Sequence, residues 1–315
     1  MTTVSGSPSP AETVQPRKYR FLIAALVMGA HLSVGLNIFT ISPLLGDVIR
    51  DYEINRGAAG LLIALALLVS AGFGLPGGVV ITRLGLTRSY KLGWWLIGLA
   101  AFSFLAPNYF SLLALRLSFG LGFALVLIAT GPLLLQWFRP KEVLVMNGLN
   151  TAVLSLGIAL SVALASPLAG VMGWQDSLSV FGAVGLLGAV AWIVLGKVPA
   201  RAVQTSGAIP FRLISRLLRN RQIMLLILAD AGALVQYTAL TAWLPEFYGE
   251  VRGMSPTQAG FVTGLLAFIG VFAVLLGGFL PLRFGMPRSY FIWPGILVAI
   301  GGPGSFLLGN PAGIY

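Results

Sequence analysis

The chain contains no cysteine, a single histidine and only nine acidic residues, and each scarcity removes a class of function. Without cysteine there is no disulfide, no thioether haem attachment, no cysteine-held zinc and no thiol nucleophile. So few histidines and acids leave no cluster with metal-ligand spacing, and no nucleotide-binding loop is present, so neither metal nor cofactor is expected. Charged residues make up 9% of the chain, against about 25% in soluble domains. What fills their place is apolar: 57% of residues are hydrophobic and the mean hydropathy is +0.92. The net charge of +11 does not imply nucleic acid, because the basic residues sit in short loops and the aromatics are dispersed through apolar runs.

The first twenty residues are polar and end in Arg17-Lys18-Tyr19-Arg20, too polar for a cleaved signal peptide. They are expected to form a disordered tail. Apolar windows then predict nine membrane-spanning helices at 20–46, 57–81, 91–107, 109–137, 143–171, 177–196, 222–248, 257–281 and 290–308. The division follows: a six-helix bundle over 21–196, a basic linker over 197–221 and a partial second bundle over 222–315. In the linker, Arg212, Arg216 and Arg219 share one helical face opposite Phe211, Ile214, Leu217 and Leu218. Such a stretch suits either an anionic inner leaflet or water.

Lysine and arginine set the expected orientation. Sixteen fall on one side, among them Arg83, Arg88, Lys91, Arg139, Lys141, Arg283 and Arg288, and three on the other: Arg50, Arg56 and Arg252. The N-terminus is therefore expected in the cytoplasm and the chain in the cell membrane. Asp47, Asp51, Glu53, Asp176, Glu246 and Glu250 lie on the opposite side.

The stretch Gly77 to Tyr90 returns at Gly277 to Tyr290 without a gap, and seven of its fourteen positions are identical. Arg56-Gly57-Ala58-Ala59-Gly60 aligns at the same offset with Pro256-Thr257-Gln258-Ala259-Gly260. Two related halves are implied, the usual construction of a protein that moves solutes across a bilayer. The second copy stops where a tenth helix would begin, so the sequence is expected to be a fragment. A naturally nine-helix chain is the alternative.

The turn after the second span, with Gly78, Arg83, Gly85 and Arg88, resembles the G-x-x-x-D-R-x-G-R-R loop of the major facilitator superfamily. The second copy carries Gly278, Arg283, Gly285 and Arg288. Arg116-Leu117-Ser118-Phe119-Gly120-Leu121-Gly122 is similar to that family's R-x-x-x-G-x-G motif, and Gly173-Trp174-Gln175 to its G-W-R turn. Leu36-Asn37 before Ser42-Pro43-Leu44-Leu45, and Thr241-Ala242-Trp243-Leu244-Pro245-Glu246, resemble the cyanate-transporter-like branch. The departures are specific. The loop's aspartate is Thr82 in one copy and Leu282 in the other, which removes its usual charge latch. The branch's arginine falls on Phe39, and Ser166-Pro167 fits the antiporter glycine motif poorly, which favours symport or uniport.

The resemblance implies an all-α integral membrane bundle, acting as a monomer, in which the first, fourth and seventh spans line a central cavity. A charge inside a span costs at least about 2.5–3.5 kcal/mol, so it is first read as functional. His31, Arg116 and Asp230 lie well inside. Arg116 offers a fork for a carboxylate or phosphate, or else bonds carbonyls near its helix end. Asp230 is a proton carrier or a structural partner of Arg116. His31 senses protons or packs neutrally. Asn37 shares a face with Ser33 and Thr40, Gln236 and Tyr237 precede Thr241, and Asn147, Asn150 and Thr151 begin the fifth span. These polar groups either line the cavity or tie helices together. The expected function is secondary active transport of a small solute, with a small organic or inorganic anion in view, by alternating access and coupled to protons or another gradient. The alternative is a non-transporting membrane receptor or enzyme.

Overall fold

Inside a bilayer, a backbone N–H or C=O finds no water, so an apolar chain crosses only as helix or closed barrel. The structure, a computed structural model describing residues 19–196, 219–285 and 289–307, is helical, with no strand among the described residues. The expected tail (apart from its last two residues), most of the linker and Arg288 lie outside them. Tyr19 and Arg20, assigned to the tail from sequence, are the first residues of α1 (Tyr19–Ile38).

Proline shapes the first two spans. The expected helix over 20–46 breaks in the middle. Pro43 lacks an N–H, and its ring would strike the carbonyl of Phe39 four residues back. The chain therefore leaves α1 at Ile38, makes one 3-10 turn at Ser42–Leu44 and resumes as α2 (Leu45–Tyr52). Pro76 acts likewise on Gly72. There α3 (Arg56–Gly72) meets α4 (Gly74–Leu84) at a 57° bend.

The remaining spans follow in order. α5 (Leu86–Gly98) runs into a 3-10 segment, Leu99–Leu105. α6 (Tyr109–Leu135) starts at a capping box in which Asn108 accepts from the Ser111 N–H. α7 (Pro140–Met172) has proline at its first position, and α8 (Trp174–Leu195) closes the first half. The second half holds α9 (Arg221–Arg252), α10 (Pro256–Phe284) and α11 (Ser289–Leu307). Among the described residues six helices are long and apolar enough to span, seven when the bent pair counts as one. The third and ninth expected spans are helical as well, but one changes to 3-10 geometry and the other keeps only a short apolar stretch, Ile292–Gly304.

The repeated turn has a backbone reason. Gly85 sits at φ +82° and Gly285 at φ +79°, a region that side chains with a β-carbon resist. Gly85 lets α4 pass into α5 across a single residue. Thr82, where the family has aspartate, only returns its hydroxyl to the Val79 carbonyl at 2.8 Å. No ion pair holds Arg83 or Arg88 among the described residues.

Small residues let helices from the two halves touch. A β-carbon on Gly260 or Gly264 of α10 would lie 2.7 Å from the Val162 carbonyl or 2.9 Å from that of Ala159, both on α7. Within the first half, a β-carbon on Gly35 would strike the Leu154 carbonyl. Where lipid gives no hydrophobic drive, such close backbone contact supplies the packing energy.

Candidate functional site

The break in the first span creates the polar centre of the molecule. A helix leaves its last four carbonyls without N–H partners. In α1 these belong to Gly35, Leu36, Asn37 and Ile38, all buried. Side chains serve every one. Ser161 Oγ of α7 lies 3.5 Å from the Gly35 oxygen. The Thr40 hydroxyl donates to Leu36. Arg116 of α6 donates from one terminal nitrogen to Asn37 O at 2.6 Å and from the other to Ile38 O at 2.8 Å. Its Nε donates to Leu62 O of α3 at 2.8 Å. A cation at a helix C-terminus also meets the negative end of the dipole.

The same joint reaches the other half. Ser42 Oγ lies 2.8 Å from Thr241 O and 2.6 Å from Ala242 O, both on α9. Ser166 of α7 donates to Pro43 O at 3.2 Å. Phe39 is 2% exposed and meets the Tyr237 ring edge-on at 6.3 Å. Nearer the surface, Arg56 pairs with Glu246 at 3.1 Å and Glu250 at 2.5 Å, bridging α3 to α9. Glu246 is the better covered acid, with 12% of its side chain exposed against 55% for Glu250. At this end of the bundle the halves are joined.

At the other end no hydrogen bond or ion pair joins them among the described residues. From Leu225 to Val235 every residue of α9 is exposed, Asp230 included. Helical spacing puts Asp230 on the face of Tyr237, two turns nearer the basic end. No hydrogen bond or ion pair links His31, Arg116 and Asp230 to one another among the described residues. Gln236 donates to Val298 O of α11 at 2.6 Å. Asn37 donates to Ser33 O at 2.8 Å and Phe181 O at 3.1 Å, tying α1 to α8.

A second polar place lies between α1, α6 and α7. A cavity of about 440 Å³ is lined by His31, Thr130, Asn147, Asn150 and Thr151 among apolar neighbours such as Phe123 and Leu127. His31 Nδ1 lies 3.0 Å from Val27 O, and since a carbonyl only accepts, Nδ1 carries the hydrogen. Thr130 donates to Val126 O at 2.7 Å and Thr151 to Asn147 O at 3.0 Å. Asn150 is 2% exposed, and among the described residues neither atom of its amide has a hydrogen-bond partner.

Sequence reasoning placed Arg56, Glu246 and Glu250 on one side of the membrane but missed their pairing, since 190 residues separate Arg56 from Glu246. The available signal was their opposite charge on the side poor in lysine and arginine.

The family model described as Major Facilitator Superfamily matches residues 27–315. An uncharacterized protein of Campylobacter jejuni is 26% identical over 272 residues, 86% of this chain and 82% of its own. The nitrite extrusion protein of Bacillus subtilis is 26% identical over 82% of this chain and 65% of its own length. The hexuronate transporter of the same organism is 24% identical over 76% and 58%. The chain thus spans about three fifths of these two named relatives. Among solved structures, a bacterial homologue of the human lysosomal transporter Spinster, inward-facing and unoccupied, has a TM-score of 0.75 at 19% identity, covering 96% of this chain and 71% of that one. The D-xylose-proton symporter has a TM-score of 0.62 at 17% identity, covering 82% and 68%. At these identities the likeness shows a shared fold.

Proposed function

The chain belongs to the Major Facilitator Superfamily, and we propose that it is a secondary active transporter of a small organic or inorganic anion. The observation that carries this reading is the asymmetry between the two ends. Arg56 with Glu246 and Glu250, Ser42 with the carbonyls of Thr241 and Ala242, and Phe39 with Tyr237 join the halves at one end. Among the described residues no hydrogen bond or ion pair joins the halves at the opposite end. A bundle with one closed end and one open end is half of an alternating-access cycle. The lysine and arginine distribution supports a cytoplasmic position for that end, and on this reading the conformation is inward-open.

The solute class is supported by the names of the relatives, a nitrite extrusion protein and a hexuronate transporter, and by an open end bordered by basic loops. Gradient coupling is supported by the absence of a nucleotide-binding loop in the sequence. Arg116 acts here as a positioning residue. Three of its donors are committed to carbonyls, and it fixes the end of α1 against α3 and α6. Asp230, uncovered on the inter-half face of α9, is the acid placed to exchange protons with the open side.

The test is flux in proteoliposomes made from the full chain. Nitrate, nitrite and D-glucuronate are offered separately, with an imposed proton gradient or membrane potential. Gradient-dependent uptake of one of them, abolished by a protonophore, is expected. Flux of none of the three under any gradient would remove the anion reading.

A further inference from the structure

The cavity between α1, α6 and α7 contains groups that the joint of the first span does not use. The Nδ1 hydrogen of His31 goes to Val27 O at 3.0 Å, which leaves Nε2 of the neutral ring as a bare acceptor. Among the described residues Nε2 makes no hydrogen bond. Asn150 offers the complementary group, a buried amide with neither N nor O partnered. Leaving such an amide unpaired is costly, and buried groups of this kind call for a ligand or water. The threonine hydroxyls, having donated to backbone, present only lone pairs.

No charged side chain lines the cavity. The titratable groups on the helices packed against α1 are Arg88, Tyr90 and Lys91 of α5, Tyr109 and Arg116 of α6, Lys141 and Glu142 of α7, and Asp176 of α8. None of them lines it, nor do Tyr19 and Arg20 on α1 itself. Asp230 and Tyr237, on α9, do not line it either. An anion entering alone would therefore meet no fixed positive charge. It would meet an imidazole able to take one proton.

We propose that this cavity is a subsite that takes an oxyanion together with one proton, shared between His31 Nε2 and a ligand oxygen, while a second ligand oxygen accepts from Asn150. One proton leaves solution and forms either an N–H bond at Nε2 or an O–H bond on the ligand, so the loaded site is neutral overall: imidazolium against oxyanion, or imidazole against the acid. This deepens the reading above and rests on it for the solute class. It also supplies a physical route for coupling, since the anion and its proton bind as a unit. A volume of about 440 Å³ lies within the usual range of ligand pockets and admits a sugar acid as well as nitrate.

The sign of the pH effect follows from linkage. Once the empty site has lost its proton, each anion bound draws one proton from solution. Affinity then falls about tenfold per pH unit as the pH rises. Titration calorimetry on the full chain in detergent, with nitrate, nitrite, D-glucuronate and neutral D-glucose at pH 6, 7 and 8, reads this directly. Expected are binding of at least one anion with that slope, and none of glucose. Asn150→Ala should weaken binding tenfold or more, and His31→Gln should flatten the pH dependence. Gly131→Leu fills the cavity from a position where a β-carbon meets no atom within 4 Å, and it should abolish binding. It carries the test should either polar variant fail to fold. A pH-independent affinity, equal binding of glucose, wild-type binding by Gly131→Leu, or binding of no anion would each overturn the proposal. Uptake separates the two readings. Binding as described without flux sinks transport and leaves the subsite standing. Flux that Gly131→Leu leaves intact sinks the subsite and leaves transport standing.

Discussion

Replacing Arg116 with leucine should lower stability by an amount that can be worked from its three bonds. The Leu62 carbonyl lies inside α3 and keeps the N–H four residues on. Among the described residues, the Asn37 and Ile38 carbonyls at the broken end of α1 have Arg116 as their only side-chain donor. A buried polar group left without a partner costs about 1–3 kcal/mol, so two such groups cost about 2–6 kcal/mol. Removing the buried cation also removes its desolvation penalty, which favours the lower end of that range. Lysine offers a point charge where arginine offers a fork. It can serve one carbonyl, so Arg116→Lys should cost about 1–3 kcal/mol. Thermal unfolding in detergent, followed through the seven tryptophans, should rank wild type above lysine above leucine. A leucine variant that unfolds at the wild-type midpoint would refute the argument. Wild-type stability with lost uptake would instead make Arg116 a substrate or coupling residue.

Three further outcomes are expected. Gly85→Ala puts a β-carbon on a residue at φ +82°, ψ +157°, a region almost confined to glycine, and should cost about 1–3 kcal/mol in the same unfolding assay. Arg56→Ala removes both charged contacts between α3 and α9. It should make single cysteines beside Glu246 label faster with a membrane-impermeant thiol reagent, and unchanged labelling would remove the latch from the account. Glu142 accepts from the Arg139 N–H at 2.9 Å and pairs with Arg20 at 3.2 Å. Glu142→Ala removes both contacts at the start of α7 and should lower the unfolding midpoint in the same assay. An unchanged midpoint would show that neither contact stabilises the fold.

The architecture was legible because lipid enforces it. Long apolar runs and a paired basic turn left little freedom, and both turn glycines adopt positive φ. The interior of the first span was not legible in the same way. Its hydropathy continues unbroken through Phe39, and the pattern of apolar residues does not reveal that a proline four residues on will interrupt the backbone there. The charges were harder still. His31, Arg116 and Asp230 share membrane depth in the sequence, but the sequence does not show whether an arginine meets a carboxylate or a carbonyl. Arg116 meets carbonyls, because the break it serves lies on another helix. The orphaned amide of Asn150 was invisible for the same reason: its significance is the absence of a neighbour, which only packing reveals.

The central claim is that the two halves alternate between closing one end of the bundle and the other. A chain without cysteine allows spin labels at chosen places without background. One pair, Phe110 with Val251, spans the halves at the closed end, and another, Leu144 with Leu225, at the open end; all four are exposed. Pulsed electron resonance distances in nanodiscs, with and without the anion that supports uptake, give the answer. The account predicts that the first distance lengthens as the second shortens, in the same fraction of molecules. Two distances that stay fixed, or that change in the same direction, would contradict it.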